Sequence, residues 1–163
     1  MRVSEKISLR FVATLTHKLI VFLLGLNLVA LAILPSLVKS IIRIELGSGY
    51  ASIFMDKKMF YFFLVILYLA GIFAFLILNE LRKLLKSCLT DNIFVDENVK
   101  RLLRMAVESF LISLIFIAKV FVVNSIMTMV VVFVFFMASV FCLVVSLLFD
   151  QAVHYKKDVD LTI

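Results

Sequence analysis

Few residues of this 163-residue chain could carry chemistry. His17 and His154 are the only histidines, and Cys88 and Cys142 are the only cysteines. Their spacing forms neither a zinc-binding motif nor the nucleophile motif of a hydrolase, and the two cysteines do not suggest a disulfide framework. We therefore expect a protein that is not an enzyme, with no catalytic residues, no metal ligands and no cofactor.

The stretch that stands out chemically is a long polar interval between strongly apolar segments, residues 79–105. It holds six of the seventeen basic residues and four of the eleven acidic ones. Membrane anchoring alone does not require charges of both signs in one ordered interval, so this pattern favours a surface that contacts a partner. A solvated face whose basic residues only set the membrane orientation explains any single charge equally well.

Local signals place this interval at the end of one helix and the start of the next. No breaker separates the preceding apolar run from Glu80, which predicts that its helix continues beyond the bilayer. The run Thr90–Asn92 is a turn signal, and Asp96 is a suitable N-cap with Glu97 in the first turn of a new helix. The turn presents Phe94, which either anchors on the bundle or forms a hot spot for a partner protein.

The rest of the chain is apolar enough to be a membrane domain. Hydrophobic residues make up 64% of it, against roughly 45–50% in an ordinary soluble domain, and its mean hydropathy is +1.19. Four apolar runs can each cross a hydrocarbon core of about 30 Å as a helix. We predict an all-α fold, a single integral membrane domain built as a four-helix bundle. Its parts are four spans (about 19–37, 59–78, 106–123 and 126–148), a loop at 79–105 and a tail at 149–163.

The distribution of Lys and Arg predicts the orientation of this domain. With both termini cytoplasmic, twelve basic residues lie on the inner side and five on the outer side, in agreement with the positive-inside rule. The loop at 79–105 and the tail are then cytoplasmic too. The net charge of +6 follows from this topology and does not indicate nucleic-acid binding, because no soluble basic face is available.

Two details of this topology have alternatives. The outer loop at 38–58 contains an alternating run, Ile42–Leu46, that is typical of a strand, but an amphipathic helix at the interface fits nearly as well. Lys119, near the end of the third span, is expected to extend its ammonium to the headgroups rather than to serve an ion pathway. The packing faces of the third and fourth spans are predicted from small residues spaced four apart: Ser109 and Ser113, then Ala138, Cys142 and Ser146.

Two short segments resemble a known family. Residues Asp91–Leu102, DNIFVDENVKRL, resemble the motif NPF-x-x-EN-x-x-RL of a bacterial family of four-span membrane proteins, domain of unknown function 2975. The ending Asp158–Ile163, DVDLTI, is similar to that family's E-x-DLTI. Ile93 stands where the family usually has proline, which makes the turn less rigid, and Asp158 stands where glutamate is common. The resemblance implies a multi-pass protein of the bacterial inner membrane whose members are often encoded beside a small helix-turn-helix regulator, and it implies no biochemical activity.

These observations predict a non-enzymatic bacterial membrane protein that binds or sequesters a cytoplasmic partner, a small helix-turn-helix transcription regulator. The protein is expected to contact the lipid bilayer and not to bind nucleic acid directly. A homo-oligomer is compatible with the sequence. One alternative is a small transporter or channel, although the spans have few ionisable residues at mid-membrane. Another is an immunity protein against a membrane-active peptide. The residues expected to contact the partner come from the loop and the tail: Asn92, Phe94, Glu97, Asn98, Arg101, Asp160, Leu161 and Thr162.

Overall fold

A computed structural model describes residues 3–54, 57–90, 93–122 and 125–161, with side chains described for 11–40, 60–90, 93–122 and 125–159. The described residues form four α-helices and no strand, which confirms the predicted all-α class. All four helices are long and apolar enough to cross a membrane. The helices are α1 (Val3–Phe54), α2 (Lys57–Leu89), α3 (Asp96–Val122) and α4 (Ile126–Leu161).

The first helix is longer than the sequence predicts. The expected span ends at about residue 37, yet α1 continues through Pro35 to Phe54. The described part of the outer loop is therefore helical, and the strand alternative is wrong there. An isolated strand in or near lipid leaves its backbone groups unpaired, whereas a helix pairs its own, and membrane helices tolerate an internal proline.

The second and fourth helices both extend beyond their apolar segments. α2 continues past residue 78 to Leu89, as the absence of a breaker predicts. α4 continues past residue 148 to Leu161, so the tail, which we expected to be a short free segment, is the last part of a helix. This extension is possible because no Gly or Pro, the residues that most often interrupt a helix, follows Gly71 in the sequence. The two extensions project at the same end of the molecule, because α2 and α4 run in the same direction.

The helices pack in chain order into an open bundle. In the described parts of the chain, α2 contacts α1 and α3, α3 contacts α4, and α1 makes no contact with α4. Leu34 and Val38 of α1 form a buried cluster with Phe63 of α2. A Cβ atom built on Gly71 would lie 2.6 Å from Leu31 Cδ2, so the missing side chain of this glycine lets α1 approach α2 closely.

Serine hydroxyls connect α3 and α4 through backbone carbonyls. The three bonds are Ser113 Oγ to Val132 O (3.2 Å), Ser139 Oγ to Ala106 O (2.8 Å) and Ser146 Oγ to Val99 O (3.2 Å). All three serines are buried, and so is Ser109. The predicted packing face of α3 is confirmed; on α4 the face includes Ser146 as predicted, but Ser139 takes the place expected for Ala138.

Lys119 does not reach toward the headgroups as predicted. Its side chain is buried between three helices and donates a hydrogen bond to Thr128 Oγ1 at 3.2 Å. Its ammonium also lies 5.2 Å from the centre of the Phe63 ring. A hydroxyl and an aromatic face on neighbouring helices satisfy this cation locally, which removes the reason for it to extend to the interface.

Candidate functional site

The turn between α2 and α3 is held by side chains bonded to its own backbone. Asn98 of α3 is fully buried, and its Nδ2 donates to the Ile93 carbonyl at 2.7 Å. On the other side of the turn, the Thr90 hydroxyl lies 3.3 Å from the Lys86 carbonyl and 3.1 Å from the Ser87 carbonyl. These bonds satisfy backbone groups at the end of α2 and before α3, so the turn has a defined shape without the proline usual in the motif.

A network of charges joins the facing sides of α2 and α3 next to this turn. Glu80 of α2 accepts a hydrogen bond from Lys83 Nζ at 2.7 Å, and its carboxylate lies 3.5 Å from Arg104 Nη1 and 3.9 Å from Arg101 Nε. Glu97 lies 3.6 Å from both arginines. The Glu80 side chain is 9% exposed and that of Glu97 is 50% exposed. Two arginines of α3 are therefore held between a buried carboxylate and a solvated one.

Arg101 is the side chain that connects the charge network to the turn. Its Nη1 donates to Asn98 Oδ1 at 3.2 Å and to Ser87 Oγ at 3.4 Å. Only 19% of the Arg101 side chain is exposed. Because it bonds to both helices and to the residue that holds the turn, Arg101 fixes the relative position of α2 and α3 at this end.

The α2–α3 turn also contacts the end of α4. Lys157 Nζ lies 2.9 Å from each carboxylate oxygen of Asp96, the first residue of α3. The hydrogen bond from the Lys157 ammonium holds the pKa of the Asp96 carboxyl below its usual range. The Phe94 ring lies 5.7 Å from the Phe149 ring. The loop and the tail, which are about sixty residues apart in the sequence, thus form one continuous surface.

A shallow groove of about 210 Å³ runs between the turn and the α4 extension. Its lining combines apolar side chains with two lysines and one carboxylate. Such a mixed groove can take an apolar side chain of a partner and place charges around it, as protein interfaces do. We call this region the turn–tail surface, and it is lined by Phe94, Val95, Asp96, Val153, Lys156 and Lys157.

One protein family matches most of the chain. Residues 53–163 match the family described as Protein of unknown function (DUF2975). The chain belongs to this family. The match excludes nearly all of α1, whereas α2, α3, α4, the turn and the tail all lie within it. No curated protein and no solved structure matches the chain.

The structure separates the predicted contact residues of this DUF2975 protein into two groups. Phe94 is 44% exposed and Glu97 is also exposed, so both are available on the surface beside the tail. Asn98 and Arg101 lie mainly inside and hold the turn. Of the remaining residues, Asn92 and Thr162 fall outside the described residues, and only the helical backbone is described for Asp160 and Leu161.

Several residues of the site were not predicted from the sequence. Lys157 and Phe149 contact the turn, and Glu80 is the buried centre of the charge network. The signal that could have indicated the first two is the absence of Gly and Pro after residue 148. If α4 continues as a helix through that stretch, Phe149 and Lys157 lie beside α3. For Glu80, the signal is its position only two residues beyond the second apolar run.

The DUF2975 chain brings few potential metal ligands together. In the described ranges, no group of three or more His, Cys, Asp or Glu side chains is arranged to hold a metal ion. His154 Nε2 and the Asp150 carboxylate are 4.0 Å apart on the exposed face of α4.

Proposed function

We propose that this protein is a non-enzymatic protein of the bacterial inner membrane that binds a cytoplasmic partner through the turn–tail surface. The partner is a small helix-turn-helix transcription regulator, which membrane binding would keep away from DNA. The choice of partner rests on the family resemblance, and the place of binding rests on the structure.

The observation that carries the proposal is the contact between loop and tail. The two polar segments lie far apart in the sequence but meet in the structure. The Asp96–Lys157 ion pair and the Phe94–Phe149 ring contact join them beyond the apolar part of the molecule. A protein that only needed anchoring would gain nothing from a rigid turn fitted against a long helical extension.

Within this surface, the residues have different roles in the proposal. Phe94 is the central apolar contact, because half-buried aromatic rings supply much of the binding energy at interfaces. Glu97 contributes a charge at the edge. Asn98 and Arg101 keep the turn in shape and act through it. Three tail residues and one turn residue complete the proposed contact: Asp160, Leu161, Thr162 and Asn92.

The proposed orientation places this surface in the cytoplasm. Most of the basic residues flanking the apolar segments lie at the end of the molecule that carries the α2–α3 turn and both termini. By the positive-inside rule, that end faces the cytoplasm. A soluble regulator would then have direct access to the turn–tail surface.

The test is affinity purification of the full chain from its native membrane, followed by identification of the retained proteins. Phe94→Ala removes the central contact, and Phe121→Ala is the matched control, because Phe121 is 87% exposed at the opposite end of α3. We expect a small regulator to be retained by the wild type and the control and lost from Phe94→Ala. A second variant that lacks residues 159–163 keeps Lys157 and tests the tail separately.

Two outcomes would contradict the proposal. One is a regulator that stays bound to Phe94→Ala and to the shortened chain. The other is that the full chain retains no soluble protein, which would favour transport or peptide immunity. A liposome flux assay would then separate these two functions.

A further inference from the structure

A second site lies on the other side of the turn, between α2 and α3. It is an open pocket of about 330 Å³, and the five described residues that line it are all basic or hydroxyl-bearing. Three of them, Lys83, Lys86 and Ser87, share one face of α2 at spacings of three and four. Thr90 follows directly after α2, and the fifth residue closes the pocket from α3. The lining residues are Lys83, Lys86, Ser87, Thr90 and Arg101.

Two groups in this pocket can still donate hydrogen bonds. The Lys86 ammonium has neither a hydrogen bond nor an ion pair with any described residue. Ser87 Oγ accepts from Arg101 Nη1 at 3.4 Å, which leaves its own hydroxyl proton available. Glu80 lies beside the pocket and offsets part of the charge of Lys83 and Arg101. Glu97 also lies 3.6 Å from Arg101. Among the described residues, the lining has three basic side chains and no acidic one, which leaves an excess of positive charge.

The pocket lies at the outer edge of the headgroup layer that the sequence predicts for this end of α2. The apolar segment of α2 ends at Leu78, so Lys83 and Lys86 lie about 7 to 12 Å beyond it at roughly 1.5 Å per residue. Headgroups occupy roughly 5 to 8 Å on each side of the hydrocarbon core. Helical side chains lean toward the N-terminus of their helix, which for α2 is toward the bilayer. Both lysines can therefore reach anionic groups in that layer.

We propose that this pocket binds a phosphate group. Lys86 and Arg101 supply the charge and Ser87 supplies a hydroxyl donor, which is the usual chemistry of phosphate recognition. The phosphate belongs either to the headgroup of an anionic phospholipid or to a soluble phosphorylated compound. The described lining of the pocket shares no residue with the turn–tail surface, and the site does not depend on the partner proposed for that surface.

The experiment measures thermal unfolding of the full chain in a maltoside detergent, which contains no phosphate. Three additions are compared: inorganic phosphate, phosphatidylglycerol and the net-neutral phosphatidylcholine, with sodium chloride as the reference for ionic strength. A ligand that binds only the folded protein raises the unfolding midpoint. We expect a rise with inorganic phosphate or phosphatidylglycerol that exceeds the effects of chloride and phosphatidylcholine.

Lys86→Gln is the test variant, because the ammonium it removes has no partner in the described structure. Lys100→Gln is the matched control: Lys100 is exposed, next to Arg101, and does not line the pocket. The two variants lose the same charge. Loss of one charge-assisted hydrogen bond is expected to raise the ligand concentration needed by about tenfold in Lys86→Gln only.

Each result then has a definite meaning. A response to inorganic phosphate supports a soluble ligand, and a response to phosphatidylglycerol alone supports a lipid headgroup. The proposal is overturned if neither addition exceeds chloride and phosphatidylcholine, or if the two variants weaken the response equally. An unchanged unfolding midpoint of Lys86→Gln without ligand shows that the variant is folded.

Discussion

Glu80 and Glu97 contact the same two arginines but differ in their exposure to water. Water cannot take over the role of a buried carboxylate. Removing the Glu80 charge therefore leaves Lys83 without its close counter-ion, and Arg101 and Arg104 with only the solvated Glu97. We expect Glu80→Gln to lower the free energy of unfolding by about 3 kcal/mol. Glu97→Gln, the matched change at an exposed position, is expected to cost less than about 1 kcal/mol. Reversible unfolding in mixed micelles measures both, and equal costs would contradict the assignment of Glu80 as the centre of the network.

At the scale of single residues, the sequence predicts the type of a residue's environment better than its exact partners. The motif around Asn98 and Arg101 lies at the predicted turn, but spacing alone cannot tell that Asn98 points inward to the Ile93 carbonyl. Lys119 shows the same limit, because its partners Thr128 and Phe63 belong to other helices. Such contacts depend on the rotation of one helix against another, which no local pattern determines.

At the scale of helices, the close approach of α1 and α2 gives a test of their packing. A side chain at Gly71 would collide with Leu31, whereas nothing lies within 4 Å of a Cβ built on Gly25 of α1. We expect Gly71→Ile to destabilise the fold by about 1–3 kcal/mol through overpacking. Gly25→Ile is expected to be neutral or slightly stabilising, because a branched residue costs a helix less than glycine does. Unfolding in mixed micelles compares the two, and a neutral Gly71→Ile would show that α1 does not pack there.

The existence of the helices follows from the sequence, and their ends follow only in part. Long uncharged runs predict four spans, and the missing breaker before Glu80 predicts the extension of α2. A helix after residue 37 was one of two alternatives, but its continuity with α1 was not predicted, and neither was the extension of α4 past residue 148. Proline and a run of polar residues normally suggest that a helix stops, but a helix supported by a neighbour or by lipid can continue through both.

At the scale of the whole molecule, apolar composition predicts membrane insertion but not which helices meet. Lipid can cover any apolar face of a helix. The hydrophobic side chains of α1 and α4 therefore do not indicate which face of each helix contacts a neighbouring helix. The arrangement in chain order instead depends on small and polar residues: Gly71 between α1 and α2, the Glu80 network between α2 and α3, and buried serines between α3 and α4. The sequence predicted the third of these contacts but not the first two.

The contact between turn and tail makes a prediction about topology that does not depend on any partner. Because Asp96 lies 2.9 Å from Lys157, the α2–α3 turn and the end of α4 must be on the same side of the membrane. The experiment starts from a variant that lacks Cys88 and Cys142. Single cysteines at the exposed positions Thr90 and Tyr155 report the side of the membrane on which the turn and the end of α4 lie, and a cysteine at exposed Ile126 reports the opposite side.

A membrane-impermeant thiol reagent distinguishes the two sides. We expect the Thr90→Cys and Tyr155→Cys variants to react in inverted vesicles and not in intact cells, and Ile126→Cys to react in intact cells only. Labelling of Thr90→Cys and Tyr155→Cys from different sides would refute the packing of α3 against α4. Labelling of both from outside would keep the fold but reverse the orientation, and the turn–tail surface could then not bind a cytoplasmic regulator. The same experiment therefore separates a failure of the fold from a failure of the proposed function.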